Sequence, residues 1–271
     1  MQQQSPLSAV CSANYIGIAM PSTAFFRFYE ELNDFLPPHR RGKRFEYRFD
    51  GNPSVKDAVE ALGVPHTEID LIVVSGASVG FDHRLENGDA AAVYPLFESL
   101  DISPVVKLRP ALLRKPSFIC DVHLGALARL LRLAGFDTLY KNDYADEEIV
   151  EAAVSHQRCV LTRDRGILKR KAVTRGYCVR STRPREQARE VVRRFDLGPA
   201  MMPFSRCMLC NGAMERASAE SVLALVPPKT KECYREFHRC ASCGKVYWQG
   251  SHFGKLKSIV DDLTKDHPPG D

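Results

Sequence analysis

From residue 22 onward, apolar and polar positions follow two different rhythms. Thr23 to Tyr29 reads as a strand, and Arg44-Phe45-Glu46-Tyr47-Arg48-Phe49 alternates aromatic and charged side chains with period two, as a half-buried strand does. Pro37 to Gly42 is a turn between them. A short helix over 53–63 follows, because Pro53 suits a first turn and Gly63 an end. Ile69 to Ser75 and Ala90 to Tyr94 read as two more strands, separated by turns at Gly76 and Asn87-Gly88-Asp89. Strand, strand, helix, strand, strand is the order of a β-grasp, here an α+β domain over 22–102. Residues 103–116, with Pro104, Pro110 and Pro116, read as a linker.

From Phe118 the rhythm changes. Strands at Phe118 to Cys120, Asp137 to Tyr140, Cys159 to Thr162 and Tyr177 to Arg180 alternate with helices. These run over Val122 to Ala134, Asp146 to His156, Ile167 to Arg175 and Arg185 to Phe195. Repeated strand–helix units imply an α/β domain, 117–200, whose mostly parallel sheet is covered on both faces. Residues 201–265 form a small cysteine module and a closing helix, with a loose tail at 266–271. Residues 1–21 are polar and mixed and lack the pattern of a secretory signal. They read as a disordered extension in which Met20 competes with Met1 as the start.

Composition adds limits. No apolar run approaches the ~20 residues needed to cross a bilayer, so no membrane partner is expected. The net charge of +5 is unevenly spread. Residues 1–114 carry 11 Lys+Arg against 14 Asp+Glu, and residues 115–271 carry 27 against 19. Arginine dominates the basic stretch 158–194, which reads either as a phosphate-facing surface or as a solvated one.

Nine cysteines change the picture further. Cys120, Cys159 and Cys178 lie within strand-like runs and read as buried thiols, which suits a reducing, cytoplasmic location. Cys207, Cys210, Cys240 and Cys243 form two CxxC pairs with Gly212 and Gly244 close behind. Four thiolates satisfy tetrahedral Zn²⁺ and leave no open position, so a structural zinc ion is expected. Two disulfides, or four unrelated thiols, are the competing readings. Cys233 and His238 break the pairing and read as non-ligands.

Asp121 follows the first strand of the α/β unit and Asp164 the third, at the carboxyl ends where an open parallel sheet binds ligands. Asp146 opens the intervening helix, and Asp143 and Glu147 are close to it in sequence. Carboxylates gathered there would need a cation, and hard oxygen donors select Mg²⁺ or Mn²⁺. Simple helix capping by Asp121, Asp146 and Asp164 is the alternative, and the two roles are compatible.

The stretch Phe118-Ile119-Cys120-Asp121-Val122-His123-Leu124-Gly125-Ala126-Leu127, with Ala145-Asp146-Glu147-Glu148-Ile149 and Leu161-Thr162-Arg163-Asp164-Arg165, resembles a Mut-seven-type C-terminal ribonuclease domain over about 117–255. The first domain resembles the ubiquitin-like domain that precedes it in that family. The resemblance implies a PIN-like fold that cuts RNA with clustered acidic residues and a divalent metal. Asp121, Asp146 and Asp164 match its acidic positions; Asp143 matches less well, and the fourth acidic position has no counterpart after Val179. The wider relatives of the ubiquitin-like domain are sulfur carriers ending in Gly-Gly. This chain runs on through Leu100-Asp101-Ile102-Ser103-Pro104, so the domain reads as a binding module for an unidentified protein partner.

Arg163 and Arg165 flank Asp164 as candidate phosphate contacts, and Lys169, Arg170 and Lys171 would extend an RNA track without sequence preference. Tyr247, Trp248 and Phe253 read either as stacking platforms for bases or as packing of a small ribbon. His252 is a candidate acid. Three functions stand open at this point: a metal-dependent ribonuclease, a non-catalytic RNA-binding or ribosome-associated adaptor, and a ubiquitin-like partner-binding protein.

Overall fold

A computed structural model describes residues 21–95, 108 and 116–265. The extension at 1–20, nearly all of the linker and the tail lie outside the described residues.

The first domain contains β1 (Ser22–Phe28), β2 (Phe45–Phe49), α1 (Val55–Ala61), β3 (Ile69–Val74), β4 (Ala77–Ser78) and β5 (Ala90–Pro95). The sheet order is β2-β1-β5-β3-β4, with β1 parallel to β5 and the other pairs antiparallel. This is the expected β-grasp, with the two-residue β4 added. Period-two alternation places Ala24, Phe26 and Phe28 in the core, together with Val55, Ala58 and Val59 of α1. The helix starts where it does because Ser54 and Asp57 cap each other's backbone N–H groups.

The second domain runs β6 (Phe118–Cys120), α2 (Gly125–Leu133), β7 (Thr138–Leu139), α3 (Asp146–Ser155), β8 (Cys159–Thr162), α4 (Arg165–Lys169), β9 (Gly176–Cys178) and α5 (Pro184–Arg194). Its sheet is all parallel, in the order β7-β6-β8-β9. Ile119 and Val160 face one side, with Ile149 and Ala153 of α3; Phe118, Cys120 and Leu161 face the other, with α2 and α5. Two helices differ from expectation. A 3-10 turn over Val122–Leu124 precedes α2. The basic helix stops at Lys169 instead of running to Arg175, because Arg170 leaves helical backbone at φ −62°, ψ 128°.

The cysteine module adds β10 (Met214–Ala217), α6 (Ala219–Val222), α7 (Pro228–Cys233), β11 (Phe237–Cys240) and β12 (Val246–Trp248), and α8 (Phe253–Thr264) closes the described chain. Its three strands are antiparallel, and Leu263 of α8 returns to the core beside α2 and α5.

The two domains share buried surface. One hydrophobic cluster includes Ile72 and Val93 of the first domain and Ile167, Leu168 and Val173 of the second. Glu68, fully buried, accepts the backbone N–H of Cys178 at 2.6 Å, so a side chain of the first domain caps the open edge strand β9. Arg180 pairs with Glu68 at 3.5 Å and Asp34 at 3.1 Å, and Arg194 pairs with Glu31 at 3.1 Å. His66 is buried between Glu60 (Nδ1 to Oε1, 2.6 Å) and the Val173 carbonyl (Nε2 to O, 2.9 Å).

Candidate functional site

The carboxyl ends of β6 and β8 bring two of the expected acidic residues together through a third side chain. Thr162, the last residue of β8, donates its hydroxyl to Asp121 Oδ2 at 2.7 Å and accepts the backbone N–H of Asp164 at 2.8 Å. Asp121 is 5% exposed. It precedes the 3-10 turn but makes no side-chain cap there, so capping does not account for it. Asp164 does cap: its Oδ1 accepts the Gly166 N–H at 2.7 Å, and the carboxylate is otherwise exposed.

Asp146 is differently placed. It is the first residue of α3, with Ala145 in the capping position, and its Oδ2 lies 3.3 Å from Arg170. The same guanidinium meets Glu147 at 2.9 Å. The hydrogen bond to Glu147 raises the Arg170 pKa most; the charges of Glu147, Asp146 and Asp164 add to it against desolvation. Arg170 therefore sits among the acidic groups. Asp143 lies exposed in the loop before α3.

Among the described residues, Asp121, Asp146 and Asp164 do not form a group tight enough to hold one ion; the four cysteines do. At the end of β9, among the described residues, the nearby carboxylates Glu68 and Glu190 are already engaged by the chain. Arg180 there is committed to Glu68 and Asp34, and Glu190 accepts from the Tyr177 hydroxyl and from the N–H groups of Arg180 and Ser181. Two other residues expected to meet RNA are also engaged. Lys169 Nζ donates to the Glu60 carbonyl at 2.6 Å, and Arg165 donates to the Phe35 carbonyl at 3.4 Å with its guanidinium over the Phe35 ring. Both serve the contact between domains. Arg163 and Lys171 are exposed.

The four cysteine sulfurs lie within 4.8 Å of one another and could hold a metal ion such as zinc. Sγ separations of 3.7 Å for Cys207–Cys243 and 3.4 Å for Cys210–Cys240 exclude disulfides and approach the ~3.8 Å edge of a tetrahedron with Zn–S near 2.3 Å. Burial raises the Cys207 thiol, but the Tyr247 hydroxyl at 3.1 Å and backbone N–H bonds from Cys210 and Leu209 outweigh it and bring the pKa down to about 6. The left-handed residue of the first knuckle is Asn211 (φ 72°), where Gly244 (φ 72°) serves the second. Gly212 is needed for space: a Cβ there would stand 2.5 Å from Ser242 Oγ and 2.7 Å from Cys240 Sγ.

Sequence reasoning missed what anchors this module. Asn211 Oδ1 accepts the Thr138 N–H at 3.0 Å, and its Nδ2 donates to Asp137 Oδ1 at 2.8 Å. Arg132 donates to the carbonyls of Thr138 and Leu209. These contacts lie at the amino end of β7, whereas Asp121 and Asp164 lie at the carboxyl ends of β6 and β8. Trp248 packs with Val222, Val226 and Phe237 on one face of the ribbon, as the packing alternative expected.

No curated protein and no solved structure matches this chain. Residues 21–101 match the Mut7-C ubiquitin domain, in agreement with the β-grasp order. The parallel sheet, its terminal acidic pair and the cysteine module fall within residues 116–260, which match the Mut7-C RNAse domain, and the chain belongs to that family.

Proposed function

We propose that this protein is a divalent-metal-dependent ribonuclease that hydrolyses RNA phosphodiester bonds at the carboxyl end of its parallel sheet. Asp121 and Asp164 are the principal ligands for Mg²⁺ or Mn²⁺, ions that keep several waters and need only one or two carboxylates; Asp146, paired with Arg170, stands outside that pair as a further acidic group of the site. The observation that supports this reading is the Thr162 bridge, which ties the Asp121 carboxylate to the backbone of Asp164 at the end of the adjacent strand. The donor set suits such an ion. Asp121 is buried with one oxygen on Thr162 and has no cationic partner among the described residues. A buried carboxylate is costly without a cation, and hard oxygen donors suit Mg²⁺ or Mn²⁺. Such an ion, when bound, activates water and stabilises the leaving oxygen of a phosphodiester. Thr162 orients Asp121, the Gly166 N–H holds one Asp164 oxygen and leaves the other available, and exposed Arg163 offers a phosphate contact. The cysteines hold zinc in a structural role, since four thiolates leave no open position.

The test compares wild type with Asp164→Asn on single-stranded and transfer RNA, with Mn²⁺ or Mg²⁺ and then with the ion withheld. Metal-dependent cleavage lost in the variant supports the assignment; equal cleavage by both proteins sinks it. One observation favours a second reading, the RNA-binding adaptor: Arg170 already neutralises Asp146. RNA binding without cleavage under either metal would establish that reading instead.

A further inference from the structure

We infer that the cavity between the cysteine module and α8 holds one unpaired nucleotide of a single-stranded RNA; this rests on RNA being the substrate. The cavity measures about 490 Å³, a size that suits a small organic ligand. Its lining is largely apolar and aromatic. Phe204 and Phe253 stand there with ring centroids 5.0 Å apart and planes 32° from parallel, beside Leu133. Lys245, His238 and His252 are among the lining residues, and none of the lining residues is acidic. The Lys245 ammonium stands 5.8 Å from the Tyr247 ring centroid and makes no ion pair among the described residues. Apolar and aromatic side chains beside a lysine suit an aromatic anion. A base on the rings with its phosphate toward the lysine meets both halves of that requirement. A lipid tail would leave Lys245 unused.

The cavity also has a defined relation to the acidic pair. Leu133, in its wall, is the last residue of α2, and Asp121 lies just before the 3-10 turn that leads into that helix. Nine residues of α-helix span about 14 Å. A strand reaching both places runs along α2, so the seated base is several nucleotides from the bond at Asp121 and Asp164. The cavity is a grip that positions the strand and takes no part in bond breaking.

The experiment uses the full-length, zinc-loaded chain without Mg²⁺ or Mn²⁺. A fluorescein-labelled octauridylate is followed by anisotropy, with uridine monophosphate as competitor, and a 4-thiouridine oligomer is photo-cross-linked and mapped by mass spectrometry. Cross-links are expected within residues 245–256. Phe253→Ala weakens binding by about tenfold, and Lys245→Gln by several-fold. If Phe253→Ala loosens α8 by circular dichroism, Phe253→Leu decides, since it keeps apolar bulk and removes the ring. Cross-links confined to other segments, or wild-type affinity in a folded Phe253 variant, overturn the inference. So does displacement of the label by an acidic aromatic peptide but not by uridine monophosphate. Cross-linking at the cavity with no cleavage under Mn²⁺ removes the nuclease reading alone, whereas cleavage without that cross-link removes the cavity alone.

Discussion

Asp121 and Asp137 stand at opposite ends of one parallel sheet and lead opposite lives. Asp137 is saturated: Arg158 reaches it at 2.7 Å, Asn211 at 2.8 Å and Arg206 at 3.5 Å. Asp121 is more deeply buried, yet its recorded partner is the neutral hydroxyl of Thr162. A carboxylate whose charge the chain itself answers is joinery, here between sheet and cysteine module. Under the proposed function, one left without a cation takes its countercharge from solution. Acidic residues at strand ends look alike in a sequence, and their partners separate structure from chemistry.

That contrast can be broken at either end. The largest effect is expected at the cysteine module, where metal binding supplies about 10 kcal/mol or more to small folds of this kind. Cys240→Ser should abolish the one-to-one zinc content measured by plasma mass spectrometry and unprotect residues 205–250 in hydrogen exchange. Retained zinc would contradict the ligand set. Next, Asp121→Asn should lower metal-dependent cleavage by roughly 10²- to 10³-fold, the order found when one charge-stabilising group leaves an active site, without lowering the melting temperature. A matching loss of stability would make Asp121 joinery too. Asp137→Ala should do the reverse. It should cost about 2–4 kcal/mol in urea denaturation, because Arg158 loses its partner, while cleavage per folded molecule is unchanged. The smallest effect concerns pH. Burial raises the Asp137 carboxyl, but the bonds from Arg158 and Asn211 and the charge of Arg206 bring it below its ordinary value. Its folded pKa lies below the unfolded one, so its contribution is present above about pH 4 and is lost as pH falls through the folded value. Asp137→Asn should flatten that acid limb in denaturation measured between pH 5 and 3.

Much of the architecture was legible because each strand announces itself locally. Period two in Phe45–Phe49, and the short apolar runs Phe118–Cys120 and Cys159–Leu161, need no knowledge of what lies opposite. The cysteine pairs were equally plain, since their spacing is their chemistry. What stayed hidden depends on distant partners. Lys169, Arg170 and Arg165 form a basic run on paper, but Glu60, Asp146 with Glu147, and Phe35 claim them one by one in space. Helix α4 was overread for the same reason, since nothing in Arg170 to Arg175 shows that Arg170 turns away to Asp146 and Glu147. Asn211 could have been suspected: a residue between a metal-ligand cysteine and a glycine often takes the left-handed turn, and its amide is then free to reach outward.

The Glu68 carboxylate on the N–H of Cys178 bears on how the chain can be divided. A boundary drawn through the proline-rich segment separates two sequence families, but it does not separate two independent lodgers. A fragment beginning at residue 116 would carry β9 with an unsealed edge, the kind of surface that recruits a second strand from another molecule. Its faults would then be solubility and self-association rather than failed chemistry. The order of synthesis suits this arrangement: the seal emerges from the ribosome before the strand it protects.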